Sequence, residues 1–326
     1  MSLAAAFLAL AIGLVVGTAA ANGPIVENLN DQVVKISNEK QQLRNELDQA
    51  QTELGKNEGF ANESASRLLA GTLTGRNTLV IELQGDGGRV DRAADEVVNR
   101  LRLAGAKVTG HIKIKDDFFS AAANDELLDL ANASAPPGVA GALPGGVDGV
   151  ERAGALLAAL LSGKADAPQV EGIQAVLHAY KDFLTAKGEF DKPADGVVIV
   201  AGPPPSGKDA SERIARARTL VTRFHLAGGK VVVAGLSAAG LVAAVRTDAA
   251  LAKSLSTVDN ASAASGQIAA ALALSELLDG KVNHCGTGEG ATGFLPKWAP
   301  SNGGSVRAAE PFTAGPGGTW VVEALP

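Results

Sequence analysis

One cysteine and four histidines stand in 326 residues, and the only methionine is Met1. No intrachain disulfide can form, and the chain alone supplies neither a Cys-rich zinc site nor a Met-rich copper site. Aromatic residues make up 4% and the formal net charge is −6, so the stacking rings and positive charge that nucleic acid demands are both scarce. Charged residues are also few, 20% against 46% hydrophobic, which excludes a chain disordered throughout and leaves enough apolar mass for a sizeable core. No G-x-S-x-G elbow occurs, and no spacing assembles a nucleophile, a base and an orienting group, so an enzyme is not expected. Strongly alternating strands are nearly absent, and a membrane barrel built by this chain alone is therefore not expected either.

Ser2 to Val26 carry no charged side chain, and the first charge is Glu27. The run is long enough to cross a bilayer as a helix. Small residues at Ala19-Ala20-Ala21 also suit a cleaved signal peptide, although no Lys or Arg precedes Lys35. The length and flanks favour an uncleaved anchor over a cleaved signal or a buried core helix. With no basic residue before the run and most of the chain after it, export of the remainder is the expected topology.

From Val26 to Leu54 apolar residues recur every 3.5 positions. One series is Val26, Val33, Lys40, Leu47, Leu54 and the other is Leu29, Ile36, Leu43, Ala50, with polar residues between. This predicts a coiled coil ended by Gly55 and Gly59, pairing either with further copies of the chain or with a partner helix; a single amphipathic helix packed on its own domain is the alternative.

Beyond Gly59 strand and helix patterns alternate. Strands are expected at Thr78–Leu83, Lys107–Lys115, Gly196–Val200 and Lys230–Ala234. The last two are continuous apolar runs, as central parallel strands require. In Lys107–Lys115, Val108, Ile112 and Ile114 are expected on one face and His111, Lys113 and Lys115 on the other. Helices are expected at Val90–Ala104, Phe118–Ala131, Val150–Leu161, Gln169–Lys187, Ser211–Leu226, Ala238–Arg246 and Gly266–Leu278, and a Pro- and Gly-rich loop at Ser134–Gly149. The fold expected is α/β: an N-terminal transmembrane helix and coiled-coil stalk, then a Rossmann-like, mainly parallel α/β domain. The divisions are 1–26 as anchor or signal, 27–58 as coiled coil, 59–290 as the globular domain and 291–326 as a mobile tail.

Gly202-Pro203-Pro204-Pro205-Ser206-Gly207-Lys208 has the spacing of a phosphate-binding loop. Three prolines remove the N–H groups such a loop needs, and Asp209 replaces the hydroxyl that would reach magnesium. The bland reading is a rigid loop with Asp209 or Ser211 capping the next helix. Gly85-Asp86-Gly87-Gly88 places Val90 where a dinucleotide fingerprint has its third glycine, and reads as a turn. Asn283 to Gly290 is the densest polar cluster, and in it His284 and Cys285 are adjacent soft ligands. They are the candidate metal contacts, with a third ligand to come from elsewhere; a structural glycine-rich turn is the simpler reading. His111, His178 and His225 read as structural or solvated, and Arg213, Arg216 and Arg223 as the solvated face of a helix.

Several of these stretches resemble one family. SLAAAFLALAIGLVVG, the coiled coil behind it, SLSTVDNASAASGQIAAALALSELLDG and HCGTGEGA are similar to the mycobacterial copper transport protein B family, over roughly residues 2–296. The most specific pieces are Ser256-Thr257-Val258-Asp259 with Gly266-Gln267, and His284 through Gly288. Two features depart from the family pattern: the short basic segment before the apolar run is absent, and Cys285 stands where an aromatic residue is common. The resemblance implies copper transport or homeostasis, copper as the transported ion with no resident cofactor, and an envelope location that includes the outer membrane. Residue patterns and resemblance together give the expectation of an envelope-anchored, oligomeric or partner-assisted protein. The alternative is an anchored coiled-coil scaffold that binds a cell-wall enzyme.

Overall fold

Val197 to Val200 are buried on both sides of the backbone, and so are Val231 to Ala234. Two such runs form the middle of a sheet that is covered by helices on both faces. The computed structural model describes residues 3–83, 85, 88–162 and 170–296. The strands are β1 (Asn77–Leu83), β2 (Lys107–Ile114), β3 (Leu184–Gly188), β4 (Gly196–Ala201), β5 (Lys230–Gly235), β6 (Ser256–Val258) and β7 (His284–Cys285). The helices are α1 (Leu3–Leu69), α2 (Arg89–Leu103), α3 (Asn124–Ser134), α4 (Pro137–Ala140), α5 (Gly149–Ser162), α6 (Val170–Ala179), α7 (Ala210–Leu226), α8 (Leu241–Arg246) and α9 (Ala264–Leu278). The described strands form one sheet in the order β3-β2-β1-β4-β5-β6-β7, parallel except for β3. The chain winds outward from β1 to one edge and then from β4 to the other. This is the doubly wound arrangement, with its switch point between β1 and β4.

The pleat divides the core in two. Leu79, Ile81, Val197 and Ile199 point to a layer that holds α5, α7 and α8. Val80, Val198, Val200 and Val232 point to the other, which holds α2, α9 and the end of α1. The alternation expected in β2 breaks at Thr109. Thr78 pairs with Val108 but Leu79 pairs with Gly110, so Thr109 is an extra residue in the ladder. A bulge of this kind turns the side chains beyond it to the other face. Val108 therefore joins the α2 side, while Ile112 and Ile114 pack on the α5 side.

α1 runs without interruption for 67 residues, about 100 Å at the usual rise. The expected stop at Gly55 and Gly59 does not occur. The helix is held beyond them because Ala65 and Leu69 are fully buried against the head, and because Glu58 accepts the N–H of Ala264 at 2.8 Å. The Glu58 carboxylate thereby caps α9, whose own first residues supply no side-chain cap. The side chains of residues 18–31 lie outside the description. Among the described residues no helix is long and apolar enough to cross a membrane. The transmembrane expectation for residues 1–26 rests on the sequence.

Other boundaries move for local reasons. The helix expected at Phe118–Ala131 divides into two 3-10 turns, Asp116–Phe119 and Ala121–Ala123, followed by α3, because Phe118 and Phe119 turn inward. The helix expected at Gln169–Lys187 stops at Ala179, and its second half becomes the antiparallel edge strand β3 on β2; Gln169 lies outside the described residues. The helix expected from Ala238 starts at Leu241, after Gly240 at φ +68°. β6 and β7 were not expected from the sequence. Of the tail expected at 291–326, residues 297–326 lie outside the description. Thr292 and Gly293 return to β7, with Thr292 N–H on the His284 carbonyl at 2.7 Å. Arg213, Arg216 and Arg223 do not form a solvated face. They bind the Asp116 carbonyl, the Phe119 carbonyl and Glu151, tying α7 to its neighbours.

Candidate functional site

The polar cluster of residues 283–290 is assembled around a buried ion pair at the β6–β7 edge. Arg246, in the last turn of α8, and Asp259, just after β6, have side chains 4% and 2% exposed and meet at 2.9 Å. Arg246 also donates to Thr257 Oγ1 at 2.8 Å, to the Cys285 carbonyl at 2.8 Å and to the Glu289 carbonyl at 3.0 Å. The Asp259 carboxylate accepts the backbone N–H groups of Thr287 and Gly288 at 2.8 and 3.1 Å. Burying either charge costs several kcal/mol unless it is paired and hydrogen-bonded, and here both conditions are met. The glycine spacing follows from this packing. A Cβ on Gly286 would lie 2.0 Å from Asp259 Oδ1, and one on Gly266 would lie 2.0 Å from the Asn260 carbonyl.

His284 and Cys285 are neighbours in β7, so the strand directs their side chains to opposite faces. Cys285 is 1% exposed in the core beside α9. Burial pushes its thiol up to about 11, against a weaker opposing pull from Arg246, which leaves little thiolate at neutral pH. His284 Nε2 bonds the Ala252 carbonyl at 3.0 Å and Nδ1 meets Thr257 Oγ1 at 2.9 Å. A carbonyl only accepts, so Nε2 carries the proton and Nδ1 accepts from Thr257. Burial, with Arg246 nearby, holds the imidazole below its ordinary pKa and therefore neutral. The structure does not bring the two side chains to one point. Among the described residues no group of three or more His, Cys, Asp or Glu is placed to hold a metal ion.

The architecture has a second natural position, the crevice at the switch point. A cleft of about 460 Å³ opens there, walled by Leu83, Phe119, Pro203, Pro204, Ile214 and Leu241, with Asp116 and Arg213 as its charges. Arg213 donates to the Asp116 carbonyl at 2.9 Å, and burial raises the Asp116 carboxyl pKa. Lys208 is exposed and lies outside the cleft wall. Asp209 takes the N-cap position of α7 but makes no capping bond; its carboxylate leans 3.7 Å from Arg213. The mouth is thus proline and apolar surface rather than a cradle of N–H groups, as the three prolines require. Gly85 lines the cleft, while residues 84, 86 and 87 lie outside the description.

A third cluster was missed in the sequence. Glu82 is 2% exposed in the middle of an apolar strand, 3.2 Å from Lys113 Nζ and 3.3 Å from His111 Nε2. Lys113 also pairs with Asp91, and His111 lies 3.8 Å from Asp95. Burial opposes the Lys113 charge, but Asp91 and Glu82 outweigh it and raise its pKa. His111 is therefore enclosed among carboxylates rather than solvated. The available signal was Glu82 itself, the single charged residue in TLVIEL. His178 is exposed on α6, and His225 sits in the last turn of α7, as expected.

These contacts define a class: a doubly wound α/β head carried on a long N-terminal helix, with its densest polar network locking two short edge strands. The family model described as "Copper transport outer membrane protein, MctB" matches residues 1–296, and the chain belongs to that family. It is 29% identical over 303 residues to the "Copper transporter MctB" of Mycobacterium bovis and to that of Mycobacterium tuberculosis, in each case covering 89% of this chain and 95% of the relative. The Mycobacterium leprae "Copper transporter MctB" is 29% identical over 316 residues, with the same coverage.

Proposed function

We propose that this chain is a non-enzymatic, envelope-anchored protein of copper transport and homeostasis that keeps intracellular copper low. The observation that carries this is the family match over residues 1–296, with relatives named as copper transporters along 89% of the chain. The anchor is supported by the uncharged run from Ser2 to Val26 and by apolar side chains that the head leaves uncovered. Phe7, Leu8, Leu10 and Ile12 are between 56% and 71% exposed, and they lie all round the helix, as lipid-facing positions do. The described strands all belong to one helix-covered sheet, which supports a route assembled from several copies or with an envelope partner rather than a barrel of this chain.

Growth of a deletion strain across a copper series tests the reading. The strain should fail at copper concentrations that the complemented strain tolerates. Equal growth would favour the scaffold reading, which the uncovered face of α1 supports. In that case disrupting Leu43 and Leu47 should abolish capture of a cell-wall enzyme while copper handling stays unchanged. His284→Ala and Cys285→Ser, made singly, test direct copper contact at β7: loss of tolerance with a normally folded head supports it, and full tolerance in both removes it.

A further inference from the structure

The stripe of α1 that seats on the head does not end there. Ala65 and Leu69 are buried, and Glu58 and Ala61 are partly covered. The same face continues up the helix through Leu54, Leu47, Lys40 and Val33, with Ala50, Leu43 and Ile36 beside it, and there it is open. Val33, Ile36, Leu43, Leu47 and Leu54 are each between 58% and 64% exposed. A stripe covered at one end by its own domain and bare for the next three heptads requires an occupant.

The identity of that occupant follows from the heptad. With Val33, Lys40, Leu47 and Leu54 at a, the d positions are Ile36, Leu43 and Ala50. The g positions are Glu39, Glu46 and Glu53, and the e positions are Ser37, Arg44 and Gln51. In a parallel pair each g residue faces the e residue of the following heptad on the other helix. Glu39 then meets Arg44 of the second copy, Glu46 meets a neutral Gln51, and Glu53 meets Glu58, whose carboxylate is already engaged by the Ala264 N–H. In an antiparallel pair g faces g, and the three glutamates are set against one another. A lone Lys at an a position is tolerated between two strands, where its stem lies on the seam while the ammonium reaches water; it fixes register there. A third strand would close that exit.

We infer that α1 pairs with α1 of a second copy as a parallel, in-register, two-stranded coil over Val33–Leu54. The direction rests on the anchored reading, since two anchors in one membrane point the same way, and independently on the charge pattern.

The test uses the full chain in mild detergent, with Ile36→Cys, Ala50→Cys and the outward-facing Asn38→Cys oxidised by glutathione disulfide. Ile36→Cys and Ala50→Cys should each give a disulfide-linked dimer, Asn38→Cys should not, and light scattering should give a mass of two chains. Linkage at neither position with a two-chain mass would mean an antiparallel pair, linkage at neither with a one-chain mass would mean no coil, linkage at one alone would mean a shifted register, and three or more chains would mean a different bundle. Each of those results overturns the inference. Lys40→Leu, which keeps the helix former, should raise the thermal midpoint of the coil and loosen the two-chain mass. An unchanged midpoint would also count against it. Copper is not read in any of these, so their failure leaves the copper reading standing.

Discussion

Arg246 and Asp259 show how a single pair can hold a loop of glycines in place. Each is nearly inaccessible, and each is the other's charge partner at 2.9 Å. Removing one partner leaves the other buried and unpaired, so Arg246→Ala or Asp259→Ala should cost about 3–5 kcal/mol. A denaturant titration of the head would show it as a lowered midpoint at unchanged slope. Cys285 makes a second residue-scale prediction. At 1% exposure and with its thiol pushed up to about 11, it should not react with an aromatic disulfide reagent at neutral pH until the protein unfolds. Rapid labelling of the native protein would show that β7 opens. A third concerns His225, whose pKa is lowered by burial and by Lys230. The folded protein keeps this imidazole neutral while the unfolded chain protonates it near the ordinary value, so stability is present above that value and is lost as pH falls through the lowered one. A thermal melt series from pH 7.5 to about 5 should show declining midpoints, and His225→Gln should flatten part of the decline.

At the scale of elements, what the sequence made legible was what burial makes regular. β4 and β5 were readable because both faces are covered, which turns the strand into an unbroken apolar run. β6 and β7 were not, since they are three and two residues long and carry Ser256, Thr257 and His284. β3 was hidden behind α6, because Tyr180 and Leu184 continue the helical spacing while the chain turns back to pair with β2. The candidate site was half legible. Asp259 and the residues from His284 to Gly288 stood out as motif pieces, whereas Arg246 looked like an ordinary basic residue in a last helical turn. Gly55 and Gly59 misled for a similar reason: a glycine penalty of about 1 kcal/mol each is outweighed by tertiary contacts that no local pattern reveals. One of those contacts makes a prediction. Glu58→Ala removes the cap of α9 and should cost about 1 kcal/mol, with Glu58→Gln recovering part of it; hydrogen exchange at Ala264 would locate the loss.

The whole molecule is a head on a long handle. α1 is fixed to the head by Glu58, Ala65 and Leu69, so any force or assembly transmitted along the handle reaches α9 and, through it, the edge strands. This arrangement is proposed to serve copper removal from the cell. Cell-associated copper tests it most directly, measured under external copper stress in a deletion strain, in the same strain with the gene restored, and in one restored with Leu43 and Leu47 both changed to Asp. Copper should accumulate in the deletion strain, return to the parental level on restoration, and stay high when the seam is broken. Equal copper in the parental and deletion strains would contradict the claim.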